Sequence, residues 1–221
     1  MAPLLKLAGV LVLFFLSTFV ALTTLGWLSI EQLESWLTQA QSLHIAILII
    51  GVIGLLFLDL FIAMPTLSIM ILGGYFAGAL IGGFAAFTGT LLAGIAGYGL
   101  SLRYGDKLVA TIVNNAKERD RLKQEFGRYG VLMILLSRAA PILPEVTACL
   151  SGVSRMKLST FLLAWSAVNL PYCFIAAYAG SISSVENPQP AIYTMIFLTA
   201  FFWLSWWLFK RIKATSPVNS L

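Results

Sequence analysis

From position 44 to 102 the chain carries a single charged residue, Asp59, and no soluble domain of this size can hide so long an apolar run. About half of a small domain's residues face water, so an unbroken run of this kind needs lipid as its solvent. The rest of the sequence agrees: of 221 residues, 59% are hydrophobic and 10% charged, against roughly 25% charged in an ordinary soluble domain.

Further apolar segments cover 129 to 154, 158 to 180 and 190 to 209. Between Lys6 and Glu31 lie 24 uncharged residues. That is longer than the roughly 7 to 15 of a signal-peptide core and enough for a retained membrane helix. Ser29 with Gln32 resembles a capping box, and Leu33, Trp36, Leu37 and Ala40 give 30 to 41 the apolar face of an interfacial helix. His44 sits at that boundary.

The net charge of +5 would suggest nucleic acid in a soluble protein. Here seven basic residues, from Arg103 to Arg128, are interleaved with Asp106, Glu118, Asp120 and Glu125. The mixture reads as a cytoplasmic loop, and no nucleic-acid partner is expected. Cys149 and Cys173 lie in apolar segments and read as small helix residues; two thiols and one histidine are too few for a metal site, and no cofactor is expected.

Lysines and arginines assign the loops to sides. The Lys6 end, loop 103 to 128, the Arg155/Lys157 turn and the Lys210/Arg211/Lys213 tail are expected inside, with Trp203, Trp206 and Trp207 forming an aromatic belt before the tail. Loops 29 to 43 and 181 to 189 carry only acids and are expected outside. This creates a parity problem. Residues 129 to 154 leave and rejoin the same side, yet 26 residues are too few for two helices of about 20. The sequence therefore predicts a re-entrant hairpin broken at Pro141 and Pro144.

The stretch from 44 to 102 crosses an odd number of times. It reads either as three tight spans or as a second hairpin, bent near Pro65, followed by one span over about 82 to 102. Internal similarity favours the hairpin: Asp59, Pro65 and Gly73 match Arg138, Pro144 and Gly152 at a constant offset of 79. The predicted fold is all-α and polytopic, with four transmembrane helices and two opposed re-entrant hairpins forming an inverted repeat. Small residues every fourth position from Gly74 through Gly78, Gly82, Ala86 and Thr90 to Gly94 allow close helix approach. The expected organisation is an N-terminal region over 1–43, a core over 44–181 and a C-terminal helix with basic tail over 182–221.

An ionised side chain at the centre of a membrane helix costs roughly 2.5 to 3.5 kcal/mol to insert, so such residues are functional candidates by default. Asp59, Arg138 and Glu145 are the three here. One reading is a structural ion pair of Asp59 with Arg138 that clamps the hairpins. The other gives Arg138 an anionic group to bind and Asp59 or Glu145 a proton to carry, since arginine keeps its charge when desolvated and can hold two oxygens at once. Glu145 also suits the first turn of a helix, where the dipole favours an acid. No nucleophile with a base and no phosphate-cradling glycine motif accompanies these residues, so transport is expected and catalysis is not.

The run Arg138-x2-Pro141-x2-Pro144, then Gly152, Phe161, Leu170-Pro171 and Gly180-Ser181, resembles the second half of the DedA and VTT-domain superfamily, also called SNARE-associated Golgi proteins. Pro65 with Gly73-Gly74-Tyr75-Phe76-Ala77-Gly78 and Gly82 is similar to its first half. The resemblance implies two opposed re-entrant hairpins and lipid traffic: bacterial members are associated with returning undecaprenyl phosphate across the inner membrane and with proton-motive-force-dependent drug and pH tolerance, and eukaryotic relatives with phospholipid scrambling. Many bacterial members carry a second arginine six positions after the first and an acid just after the first hairpin's proline. Pro144 and Thr66 stand there in this chain, which places it nearer the VTT branch.

Together these readings predict an inner-membrane lipid transporter with both termini cytoplasmic. It would move a phosphate-bearing lipid between leaflets, with membrane lipids as partners and proton coupling and self-association left open. The alternatives are a proton-coupled small-ion antiporter and a non-transporting membrane-assembly scaffold.

Overall fold

The computed structural model describes residues 44–61, 65–112, 116–139, 143–184 and 187–215, and these are all helix or short connection. Residues from Ile49 onward form one compact unit. The expected first transmembrane helix, the interfacial helix over 30 to 41 and Pro141 lie outside the described residues.

Helix α1 (Ile45–Leu58) ends where Leu60 and Phe61 bond to carbonyls only three residues back, at 3.3 and 2.9 Å. That tightening into 3₁₀-like turns is a common way for a helix to stop, and it leaves Asp59 in the turn. Pro65 opens α2 (Thr66–Ile112), where a missing N–H costs nothing, and its carbonyl accepts from Ile69 at 3.2 Å.

At Gly78 the backbone leaves the helical region, at φ 79° and ψ 167°. In a straight helix residues 73 and 82 would stand about 13.5 Å apart. Instead a Cβ added to Gly82 would lie 2.5 Å from the Gly73 carbonyl oxygen. The chain therefore folds back on itself at Gly78. The small-residue stripe divides its work accordingly: Gly74, Gly82 and Gly94 permit contact with Ala177, Gly73 and Trp165, whereas the space at Gly78 is open and its glycine serves the backbone.

The basic segment, expected as a loop, is largely helical: α3 covers Ala116–Leu135. Lysine, arginine, glutamate and glutamine are good helix formers, and their charge assigns a side of the membrane without dictating irregular backbone. A 3₁₀ turn (Ser137–Ala139) carries Arg138, and α4 follows over Leu143–Val153. The turn after α4 has the bonds of a Schellman motif: Met156 N–H donates to Ser151 O and Arg155 N–H to Gly152 O, both at 3.0 Å. Arg155 occupies its left-handed position, at φ 55°.

Helices α5 (Leu158–Ser181) and α6 (Gln189–Thr215) complete the chain. Among the described residues three stretches are long and apolar enough to cross a membrane: Thr66–Gly105, which includes the fold-back at Gly78, Leu158–Ser181 and Gln189–Leu208. Ile45–Leu58, Phe126–Leu135 and Leu143–Val153 are apolar but shorter. A helix of 14 residues reaches about 21 Å, short of a hydrocarbon core of roughly 30 Å.

Two clusters form the core. Leu56, Met70, Ala86, Tyr172, Cys173 and Leu198 make one. Tyr98, Ile134, Ala148, Phe161 and Trp165 make the other, with the rings of Tyr98 and Phe161 stacked at 5.1 Å. Cys173 is buried and Cys149 half-buried, both as free thiols. Most of α6 is open on its surface, as a lipid-facing helix would be, with Tyr193, Phe197, Trp203 and Trp207 exposed.

Candidate functional site

A small cavity is lined by residues of both clusters, Leu56 from the first and Ala148 and Trp165 from the second. Asp59, Arg138 and Glu145, 86 positions apart at the extremes, all line it, together with Thr90, Gly94 and Pro144. Each reaches it from a place where a helix ends or begins: Asp59 from the turn after α1, Arg138 from the 3₁₀ turn, Glu145 from the first turn of α4. Helix ends free backbone groups and let polar side chains enter an otherwise apolar bundle.

Of the other expected hairpin residues, Pro144 also lines the cavity. Pro65 stands at the start of α2, Pro144 is buried in the first turn of α4, Gly73 packs on Val52, and Gly152 lies against Tyr98 and Leu102. At Gly152 a Cβ would collide with the Tyr98 carbonyl, so the close approach requires glycine.

Arg138 is half-buried and held from two sides. Its Nε donates to Asn169 Oδ1 at 3.0 Å and its Nη2 donates to the same oxygen. Its guanidinium carbon stands 4.8 Å from the centre of the Tyr172 ring, within cation–π range. Asn169 is completely buried, and its Nδ2 donates to the Trp165 carbonyl at 2.8 Å. Trp165 Nε1 donates in turn to the Thr90 carbonyl at 3.2 Å, tying α5 to α2. Thr90 closes its own hydroxyl bond onto Ala86 O at 3.0 Å.

One carboxyl oxygen of Glu145, Oε2, is buried and has no hydrogen-bond partner. A buried polar atom without a partner is costly, and in a cavity lined by a guanidinium and a second carboxyl group it is a place for a proton or a polar ligand atom. The cavity has room for about one water molecule. Anything larger than that enters only when the surrounding helices move apart. Among the described residues no group of three or more His, Cys, Asp or Glu side chains is placed to hold a metal ion.

Reasoning from sequence finds the three charged residues and misses Asn169, Tyr172 and Trp165. Their signal was present. Trp165, Asn169 and Tyr172 follow i, i+4, i+7 spacing on one face of α5, and Asn169 is the only side-chain amide in that helix.

No curated protein and no solved structure matches the chain. The family model of the VTT domain matches residues 64–182, more than half of the length. The matched region holds Arg138, Glu145 and Asn169, while Asp59 precedes it by five positions. The chain is therefore a membrane protein that belongs to the VTT-domain family.

Proposed function

We propose that this protein moves a phosphate-bearing lipid between the leaflets of a bacterial inner membrane, with Arg138 engaging the phosphate and Asp59 or Glu145 carrying a proton. The observation that carries the reading is the state of Arg138. Its side-on edge is occupied by one neutral amide oxygen, and the three remaining N–H bonds belong to a group that lines a cavity inside an apolar bundle. Arginine in such a setting keeps its charge and offers the paired donors that a phosphate accepts.

The same reading takes the short helices on either side of Pro65 and of Pro144 as two re-entrant hairpins entering from opposite faces. Paired contacts support an inverted repeat. Gly152 packs on Tyr98 and Ser101, while the arm carrying Gly74 and Ile71 packs on Ala177 and Gly180, positions that lie 79 beyond 98 and 101. Thr90 and Asn169, also 79 apart, both belong to the hydrogen-bonded centre. Each arm thus lies on the long helix of the other half, the exchange expected when two halves are related by a two-fold axis in the membrane plane.

The test is transbilayer movement of a phosphorylated lipid beside a matched uncharged lipid, in vesicles at fixed protein density. Lysine keeps the charge but loses the planar fork, so Arg138→Lys should slow the phosphorylated lipid by about 1 to 3 kcal/mol, roughly 5- to 150-fold. Arg138→Gln should slow it further. Equal rates for the two lipids, unchanged in both variants, would transfer the assignment to the antiporter or the scaffold.

A further inference from the structure

We infer that Asn169 is the positioning residue that sets the orientation of Arg138, and through it the preference for an anionic ligand; this rests on the function proposed above. A guanidinium has five N–H bonds arranged along two usable edges. Nε–H and the neighbouring Nη2–H form the side-on edge, and both go to Asn169 Oδ1. Of the three bonds left over, one from each Nη forms the end-on edge, which can chelate two oxygens of one phosphate. Asn169 therefore selects the edge that a ligand meets.

Asn169 is itself fixed. It is fully buried, and its Nδ2–H donates to the Trp165 carbonyl one turn earlier in the same helix. That bond decides which way round the amide sits, because a flipped amide would turn an N–H toward the guanidinium and would set the carbonyl oxygens of Asn169 and Trp165 against each other. Trp165 is held by Thr90 across the helix interface. The Tyr172 ring, its centre 4.8 Å from the guanidinium carbon, adds a cation–π contact that favours the same placement.

The residue type carries the argument further. An aspartate at 169 would accept the same two N–H bonds in the same place, and it would also cancel the charge. Asparagine anchors the edge without cancelling the positive charge, for which Asp59 and Glu145, also lining the cavity, compete with a ligand. Aspartate would bond arginine more strongly, yet it would lose the donor that asparagine gives to the Trp165 carbonyl and would set an oxygen against it.

The experiment measures two probes, fluorescent phosphatidic acid and a fluorescent uncharged glycolipid with the same acyl chains, in phosphatidylcholine vesicles holding the full-length protein. The quantity read is the ratio of their rates, which a general loss of folded protein leaves unchanged. Asn169→Leu should lower the ratio at least fivefold, and combining it with Arg138→Lys should lower it little beyond Arg138→Lys alone. Asn169→Asp, which keeps the acceptor for Arg138 and cancels its charge, should still lose the ratio. A wild-type ratio in both Asn169 variants, alongside a reduced one in Arg138→Lys, would overturn the inference and leave the proposed function standing.

Should the wild-type protein show no preference between the probes, the proposed function fails by itself, and the melting temperatures decide the positioning. Asn169→Leu should then cost several degrees in the Arg138 background and clearly less in the Arg138→Lys background. Equal losses in both would overturn it.

Discussion

Arg155 and Gly78 form a matched contrast. Both stand just before a long helix and both have positive φ, 55° and 79°. Gly78, with ψ of 167°, lies in a region that is almost reserved for glycine, and nothing stands within 4 Å of where its Cβ would be. Gly78→Ala should therefore destabilise by about 1 to 3 kcal/mol through backbone strain alone. Arg155→Gly should do the opposite, gaining about 1 kcal/mol by relieving a left-handed residue at the close of a Schellman motif. Thermal unfolding in detergent checks both signs. The legibility of single residues follows a similar physical divide. Asp59, Arg138 and Glu145 could be found because an intramembrane charge is expensive and has to be explained. Asn169 carries no charge, so its role shows only once Arg138 is seen against it.

Helix contacts in lipid depend on small residues, and the sequence shows one such row plainly, from Gly74 to Gly94. Its counterpart on α5, Ala177 and Gly180, is spaced by three and is recognisable from its contacts with Gly74, Ile71 and Tyr75. A Cβ at Gly180 would overlap the Ile71 carbonyl, which is backbone and cannot turn aside. Gly180→Ala should therefore lose most of the folded protein, seen as aggregation in size-exclusion chromatography. Gly51→Ala and Gly54→Ala are the controls, because neither Cβ meets anything within 4 Å. In a helix interior these should be neutral or should add up to about 1 kcal/mol each.

Counting crossings carried the sequence reading from local apolarity to a complete topology. Of its long spans, those over 82 to 102, 158 to 180 and 190 to 209 coincide with helices long enough to cross, and the one before Glu31 lies outside the described residues. The contacts between the halves were beyond reach, since periodicity describes faces and not partners. The proposed topology has a direct test in single cysteines, introduced as Met156→Cys or Ser184→Cys in a background lacking Cys149 and Cys173. An impermeant thiol reagent applied to intact cells should label position 184 and spare 156. Labelling of 156 from outside would remove the second hairpin.

The exchange of arms between halves also has a consequence in time. The arm carrying Gly74 rests on Ala177, which the ribosome adds 103 residues later, whereas Gly152 rests on Tyr98, which is already made. At roughly 5 to 20 residues per second, the first arm waits about 5 to 20 s for its partner. During that interval the arm carrying Gly74 is without the helix it packs on. The second half, by contrast, docks on arrival. Nascent chains stalled between these two points should therefore be the most dependent on help from the insertion machinery.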